Sequence, residues 1–144
     1  MSALEVQLDA GGPLTIEGSL TGGASFNVSL DGPARFGQLL VIGSVAGLNG
    51  YVRFWLSEGG YTPQAGDSFQ WLVHDGAASL AGSFNYQVLV RSTGYDYPWA
   101  VPADLRLSFN GDSLIFQPVP EPQTWLLMFA GMILISWLKR RPRG

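Results

Sequence analysis

Apolar and polar residues alternate along most of this chain in short runs. Leu4-Glu5-Val6-Gln7-Leu8, Leu14-Thr15-Ile16-Glu17 and Ser25-Phe26-Asn27-Val28-Ser29-Leu30 each place an apolar side chain at every second position. A period of two buries one face of a β-strand and leaves the other in solvent. Gln38–Val45 is more continuously apolar and predicts a strand buried on both faces. Further strands are predicted over Tyr51–Leu56, Ser68–Val73, Ser83–Val90, Leu105–Phe109 and Ser113–Phe116, with Phe69, Trp71 and Val73 facing inward. Turn residues separate the runs: Asp9-Ala10-Gly11-Gly12-Pro13, Gly59-Gly60 and Gly66-Asp67. Asn110-Gly111 predicts a type I′ hairpin pairing Leu107 with Leu114 and Leu105 with Phe116. That pairing gathers Leu105, Leu107, Phe109, Leu114 and Phe116 on one face. No helical period of useful length occurs before residue 123.

The pattern therefore predicts an all-β domain over residues 1–117, of one of two architectures. One is an antiparallel sandwich or jelly-roll-like fold; the other is a short β-helix running into a capping sheet. Residues 4–57 favour the β-helix, because the phrase Gly18-Ser19-Leu20 returns as Gly43-Ser44-Val45 after roughly one rung.

The C-terminus follows a different rule. Trp125–Leu138 carries no charge, and Lys139, Arg140, Arg141 and Arg143 follow at once. Fourteen helical residues span about 21 Å against a hydrocarbon core of about 30 Å. Adding Gln123 and Thr124, snorkelling by Lys139 and Arg140, and local thinning narrow the gap. Trp125 and Trp137 stand near the two ends, where indoles favour the headgroup region. The expectation is one transmembrane helix over about 123–138, with the basic tail 139–143 cytoplasmic and everything before Pro120 outside.

Just before that segment stands Val119-Pro120-Glu121-Pro122, in which two fixed φ angles make a stiff, extended presentation of Glu121. The ordered set of tripeptide, apolar span containing Gly131, and terminal basic cluster resembles the PEP-CTERM sorting signal of bacterial surface proteins, over about Val119–Gly144. The resemblance implies that residues 118–144 are a sorting signal and that the chain is a substrate of exosortase, an integral-membrane cysteine transpeptidase. It implies that Pro120, Glu121 and Pro122 are the recognition residues, that the helix is a transient anchor, and that Lys139, Arg140, Arg141 and Arg143 stop and orient it. It further implies an exported structural protein of the bacterial cell surface or matrix, with exopolysaccharide as an expected associate. Gln38–Phe84, with Gly60-Tyr61-Thr62-Pro63-Gln64-Ala65-Gly66-Asp67-Ser68-Phe69 inside it, is similar to the β-rich module that often precedes such signals. Met1-Ser2-Ala3-Leu4-Glu5 has neither a basic nor an apolar leader region, so the expectation is that the chain is the C-terminal part of a longer exported protein.

Composition narrows the chemistry. Charged residues make up 13% of the chain, against an average near 25%. Before residue 121 the only basic residues are Arg35, Arg53, Arg91 and Arg106, amid ten carboxylates, so nucleic acid is not an expected partner. The absence of cysteine removes disulfides, thiolate metal sites and thiol nucleophiles. The lone histidine, His74, sits beside Asp75-Gly76, but adjacent strand residues point to opposite faces, so it reads as a turn residue. Glu58, Asp67, Asp75 and Asp96 each lie among turn residues and read as solvated carboxylates rather than a glycosidase pair. Asp9, Asp31 and Asp112 lack the spacing of a calcium loop. Neither a cofactor nor an enzyme active site is expected. Tyr95, Tyr97 and Trp99 alternate around Asp96 and Pro98, and at strand spacing they would share a face able to stack on sugars. They make a carbohydrate-binding module, left from a larger secreted enzyme or adhesin, the second functional expectation.

Overall fold

Strands far apart in sequence lie side by side in parallel in the computed structural model, which describes residues 4–76, 78–79, 84–119 and 122–139. The described elements are β1 (Leu4–Leu8), β2 (Leu14–Glu17), β3 (Leu20–Gly32), β4 (Arg35–Phe36), β5 (Leu39–Ile42), β6 (Val45–Ser57), β7 (Ser68–Gln70), β8 (Leu72–His74), β9 (Ala78–Ser79), β10 (Phe84–Arg91), β11 (Asp96–Pro98), β12 (Leu105–Phe109), β13 (Ser113–Pro118) and helix α1 (Pro122–Lys139). β1, β3, β6 and β10 form one parallel ladder, and β2, β5 and β8 form a second. At the corner between them Leu20-Thr21, Val45-Ala46 and Ala78-Ser79 stack as a third short ladder. This is the course of a short parallel β-helix rather than of an antiparallel sandwich.

The alternation read from the sequence becomes vertical stacking. Val6, Phe26, Val52 and Tyr86 stand in one row across the first ladder, and Leu8, Val28, Phe54 and Val88 in the next, all facing the core. Leu39, Val41 and Leu72 face them from the second ladder. Each coil leaves the second ladder through a glycine. A Cβ on Gly43 would lie 2.1 Å from the carbonyl oxygen of Gly18, and one on Gly76 would lie 2.5 Å from that of Gly43. Only glycine permits this approach of one coil to the next. The Ser19 and Ser44 hydroxyls stack there at 3.0 Å, and Asp75 Oδ1 accepts from the Gly43 amide at 2.8 Å.

The C-terminal end of the coil is filled by an antiparallel sheet, β12-β13-β7. Its apolar face carries Phe69, Leu114 and Phe116, all fully buried. Phe116 packs edge-on against both Phe69 and Trp99, and Phe109 lies against Phe54 and Tyr86. Trp71 is buried between this sheet and Phe26, with its indole N–H donating to the Gly111 carbonyl at 3.0 Å.

Four expectations are corrected. Gln38–Val45 is not one strand buried on both faces: β5 alternates in burial and ends at Ile42, because the chain turns the glycine corner before β6 begins. Ser68–Val73 also divides. β7 joins the capping sheet and β8 the parallel ladder, so both Trp71 and Leu72 are buried while Val73 is only half-buried. The hairpin register is shifted by two residues, with Leu107 opposite Phe116 and Phe109 opposite Leu114. The turn moves one residue along to Gly111-Asp112, closed by the Asn110 amide on the Ser113 carbonyl at 3.2 Å, while the Asp112 carbonyl accepts from the Trp71 and Leu72 amides. Asn110 does not take the positive φ that a type I′ turn at Asn110-Gly111 would need. A shift of two keeps every side chain on its face, so the predicted apolar set survives.

The transmembrane helix is the fourth. Helix α1 covers the expected segment, but no helix among the described residues is long and apolar enough to cross a membrane. Pro122, Gln123 and Thr124 at one end and Lys139 at the other leave too few consecutive apolar residues. Its described side chains from Leu127 onward are nonetheless exposed, apart from the partly covered Gly131.

Candidate functional site

β11 and the segments on either side of it hold Tyr95, Tyr97 and Trp99. β11 pairs antiparallel with β10, which sets Tyr97 opposite Val90. The three rings do not form a flat platform. Tyr95 is 70% exposed, whereas Tyr97 and Trp99 pack against the core, and Trp99 meets Phe116 edge-on. The Tyr95 and Tyr97 rings are 5.7 Å apart and tilted by 44°.

The outer sides of Tyr97 and Trp99 instead line a cleft of about 410 Å³ with Glu58, Gly59, Gly60 and Tyr61. Gly59, just past the end of β6, adopts a left-handed φ of 74° and lines that cleft. The Tyr61 hydroxyl donates to Asp67 Oδ2, whose other contact is the Gln64 amide at 2.9 Å. Burial, the Asp67 hydrogen bond and the Asp67 charge push the Tyr61 phenol well above its ordinary range. Tyr97 is also raised, by desolvation first and then by the charge of Glu58 and by Tyr95.

Of the carboxylates considered from the sequence, Glu58 lines this cleft. Asp67 and Asp75 are bound into turns, and no group of three His, Asp or Glu side chains able to hold a metal occurs among the described residues. His74 contacts the Gly76 carbonyl through Nδ1 at 3.0 Å, a local turn bond. Of the sorting residues, Pro120 and Glu121 lie outside the described residues and Pro122 opens α1. Lys139 ends α1 and is exposed, while Arg140, Arg141 and Arg143 lie outside the described residues.

Sequence reading missed the outer face of the first ladder. There Asn27 is 4% exposed, its amide donating to Glu5 Oε1 at 2.8 Å and its carbonyl oxygen accepting from Trp55 Nε1 at 2.9 Å. The Arg91 guanidinium carbon lies 4.8 Å from the Trp55 ring centre, and that of Arg53 lies 5.7 Å from the Tyr51 ring centre. The signal was present in Tyr51-Val52-Arg53-Phe54-Trp55, whose outward positions carry two aromatics and a cation where solvated strands carry small polar residues. That Arg91 reaches Trp55 follows only from the parallel register of β10 on β6.

No family model, no curated protein and no solved structure matches the chain.

Proposed function

We propose that the chain is a non-catalytic surface-display module of a bacterial envelope, exported and then sorted by its PEP-CTERM-like tail as an exosortase substrate. The observation that carries this reading is α1, whose apolar side chains Leu127, Met128, Phe129, Met132, Ile133, Leu134, Ile135 and Leu138 are exposed. A helix apolar on all sides has no stable place in water. Beside it stands a β domain with a closed core of its own. Since no helix among the described residues is long and apolar enough to cross a membrane, α1 is proposed to associate with the bilayer surface until it is cut away rather than to span it. Pro120-Glu121-Pro122 lies where such a cut is expected, and Lys139 with the arginines after it supplies the basic stop.

Substituting Glu121→Ala in a host that expresses an exosortase tests this. Uncleaved, membrane-held chain is the expected product on an immunoblot of the envelope fraction. Processing at the unmodified rate would overturn the recognition role of the tripeptide. A flat sugar platform of Tyr95, Tyr97 and Trp99 is not proposed, because two of its three rings are committed to the core.

A further inference from the structure

The cleft between the end of β6 and β11 combines three aromatic side chains with one charge. Tyr61, Tyr97 and Trp99 line it, Leu56 and Val90 add apolar surface from the ladder, and Glu58 is the only charged residue in its wall among the described residues. Its volume of about 410 Å³ falls within the range of small-molecule sites. Glu58 forms no ion pair among the described residues, where the single salt bridge is Arg35 with Asp31. Arg91, whose carbonyl accepts from the Glu58 amide at 3.0 Å, carries its own guanidinium over the Trp55 ring instead. The Tyr61 hydroxyl is bonded to Asp67, so a second carboxylate borders that ring.

The walls of the cleft are fixed by the core behind them. Trp99 meets Phe116 edge-on at 5.7 Å and Tyr61 meets Phe69 at 6.0 Å, and both phenylalanines are fully buried. The Trp99 amide donates to the Val88 carbonyl at 2.9 Å, and Tyr97 pairs with Val90 across β10 and β11. On the opposite wall the Gly60 amide closes the Glu58-Gly59 turn on the Ser57 carbonyl at 2.9 Å. Little ordering remains for a ligand to bring about. Desolvation and then the Glu58 charge push the Tyr97 phenol above its ordinary range, so the carboxylate acts on the space that this ring borders.

We propose that this cleft binds a trialkylammonium group, seated against the Tyr61, Tyr97 and Trp99 rings with Glu58 as its counter-ion. A quaternary ammonium has no N–H group to satisfy and spreads its charge over its alkyl groups, so ring surface and one carboxylate serve it fully. A primary ammonium needs acceptors for three N–H groups. Here the Ser57 and Arg91 carbonyls already accept from the Gly60 and Glu58 amides, and the Tyr61 hydroxyl is committed to Asp67. An anionic ligand would meet Glu58 with no cation beside it. A neutral ligand of the same shape gains the ring contacts and nothing from the charge. The same ammonium group occurs on free solutes and on lipid headgroups, and the test separates the two sources. The inference does not rest on the sorting signal, since every residue it uses precedes Pro120.

The test uses the full chain in a polyoxyethylene detergent, which carries neither ammonium nor sugar. Calorimetric titrations compare choline with its uncharged isostere, in which carbon replaces nitrogen, with ethanolamine and with glucose. Choline should bind most tightly of the four. Glu58→Gln should weaken it by up to about fivefold, the scale of an exposed charge pair. Tyr97→Leu should weaken it about two- to fivefold, the range of a cation–π contact at an exposed site, while Tyr97→Phe keeps the ring and should bind as the native chain does. Glu58 is exposed in a turn, so an unchanged melting temperature of Glu58→Gln will separate lost binding from lost fold. Phosphatidylcholine added to the micelles distinguishes the sources: competition with choline assigns the group to a lipid headgroup, and its absence to a free solute. No choline binding, equal binding of the isostere, ethanolamine or glucose, or an unaffected Glu58→Gln variant would each overturn the proposal. Equal losses in Tyr97→Phe and Tyr97→Leu would take the ring out of the site and overturn it as well.

Discussion

Tyr61 shows how one hydroxyl can tie a loop to the pH of its surroundings. Its O–H donates to Asp67, and burial together with that carboxylate disfavours the phenolate. In the unfolded chain the phenol ionises near pH 10. The folded state therefore holds the proton to higher pH than the unfolded state does. The stability this contributes is fully present below about pH 10 and is lost as the pH rises above it. Urea unfolding of the native chain should show a falling alkaline limb, and Tyr61→Phe should flatten it. At neutral pH the same variant should be less stable by about 0.5–1.5 kcal/mol, the net worth of one hydrogen bond. An alkaline limb unchanged in Tyr61→Phe would show that the loss arises elsewhere. Tyr97 is raised as well, so a smaller slope should remain in the variant.

The element that decides the fold is the glycine corner. Gly18, Gly43 and Gly76 lie one above another where the coil leaves the second ladder, and no side-chain carbon fits between them. Gly43→Ala places its methyl carbon against a backbone carbonyl on one coil, and the ladders on both sides restrain any retreat. The expected cost is about 1–3 kcal/mol, the range for overpacking a fixed site, read from the denaturant midpoint. Gly11→Ala, where nothing lies within 4 Å, is the matched control and should change stability little. Similar midpoints for the two variants would mean that the corner relaxes freely. The same element explains the misread strands. Gly43-Ser44 interrupts an apolar run that looked continuous, and Trp71 is the point at which one extended segment passes from the capping sheet to the ladder.

At the scale of the whole molecule, the helix side chains from Leu127 to Lys139 are largely exposed, and α1 is expected to contribute little to the stability of the β domain. A chain ended at Val119 keeps the bond from the Val119 amide to the Asp104 carbonyl and every strand of the capping sheet. Its unfolding free energy should lie within about 0.5 kcal/mol of the full chain, as for surface changes in general. Its partition into anionic lipid vesicles, measured by sedimentation, should be lost. A melting temperature lowered by many degrees would show that α1 packs on the domain in solution.

Several features were legible in the sequence because they depend on neighbours along the chain. The period-two alternation marked the inward residues of β1, β3, β6, β10 and β12, and the repeated Gly-Ser phrase marked the corner of a coil. The apolar segment near the C-terminus, with its basic end, also followed from order alone. What the sequence could not decide was partnership at long range. Alternation is the same whether strands pair in a sandwich or stack in a coil, and parallel stacking emerges only when Phe26 meets Val52 and Val52 meets Tyr86. The Tyr95, Tyr97 and Trp99 set could be read as a sugar-binding face or as a core strand, because spacing cannot tell a ring that faces solvent from one that closes a core. The Arg91–Trp55 contact was invisible for the converse reason, since only the register between two distant strands brings the guanidinium over the ring.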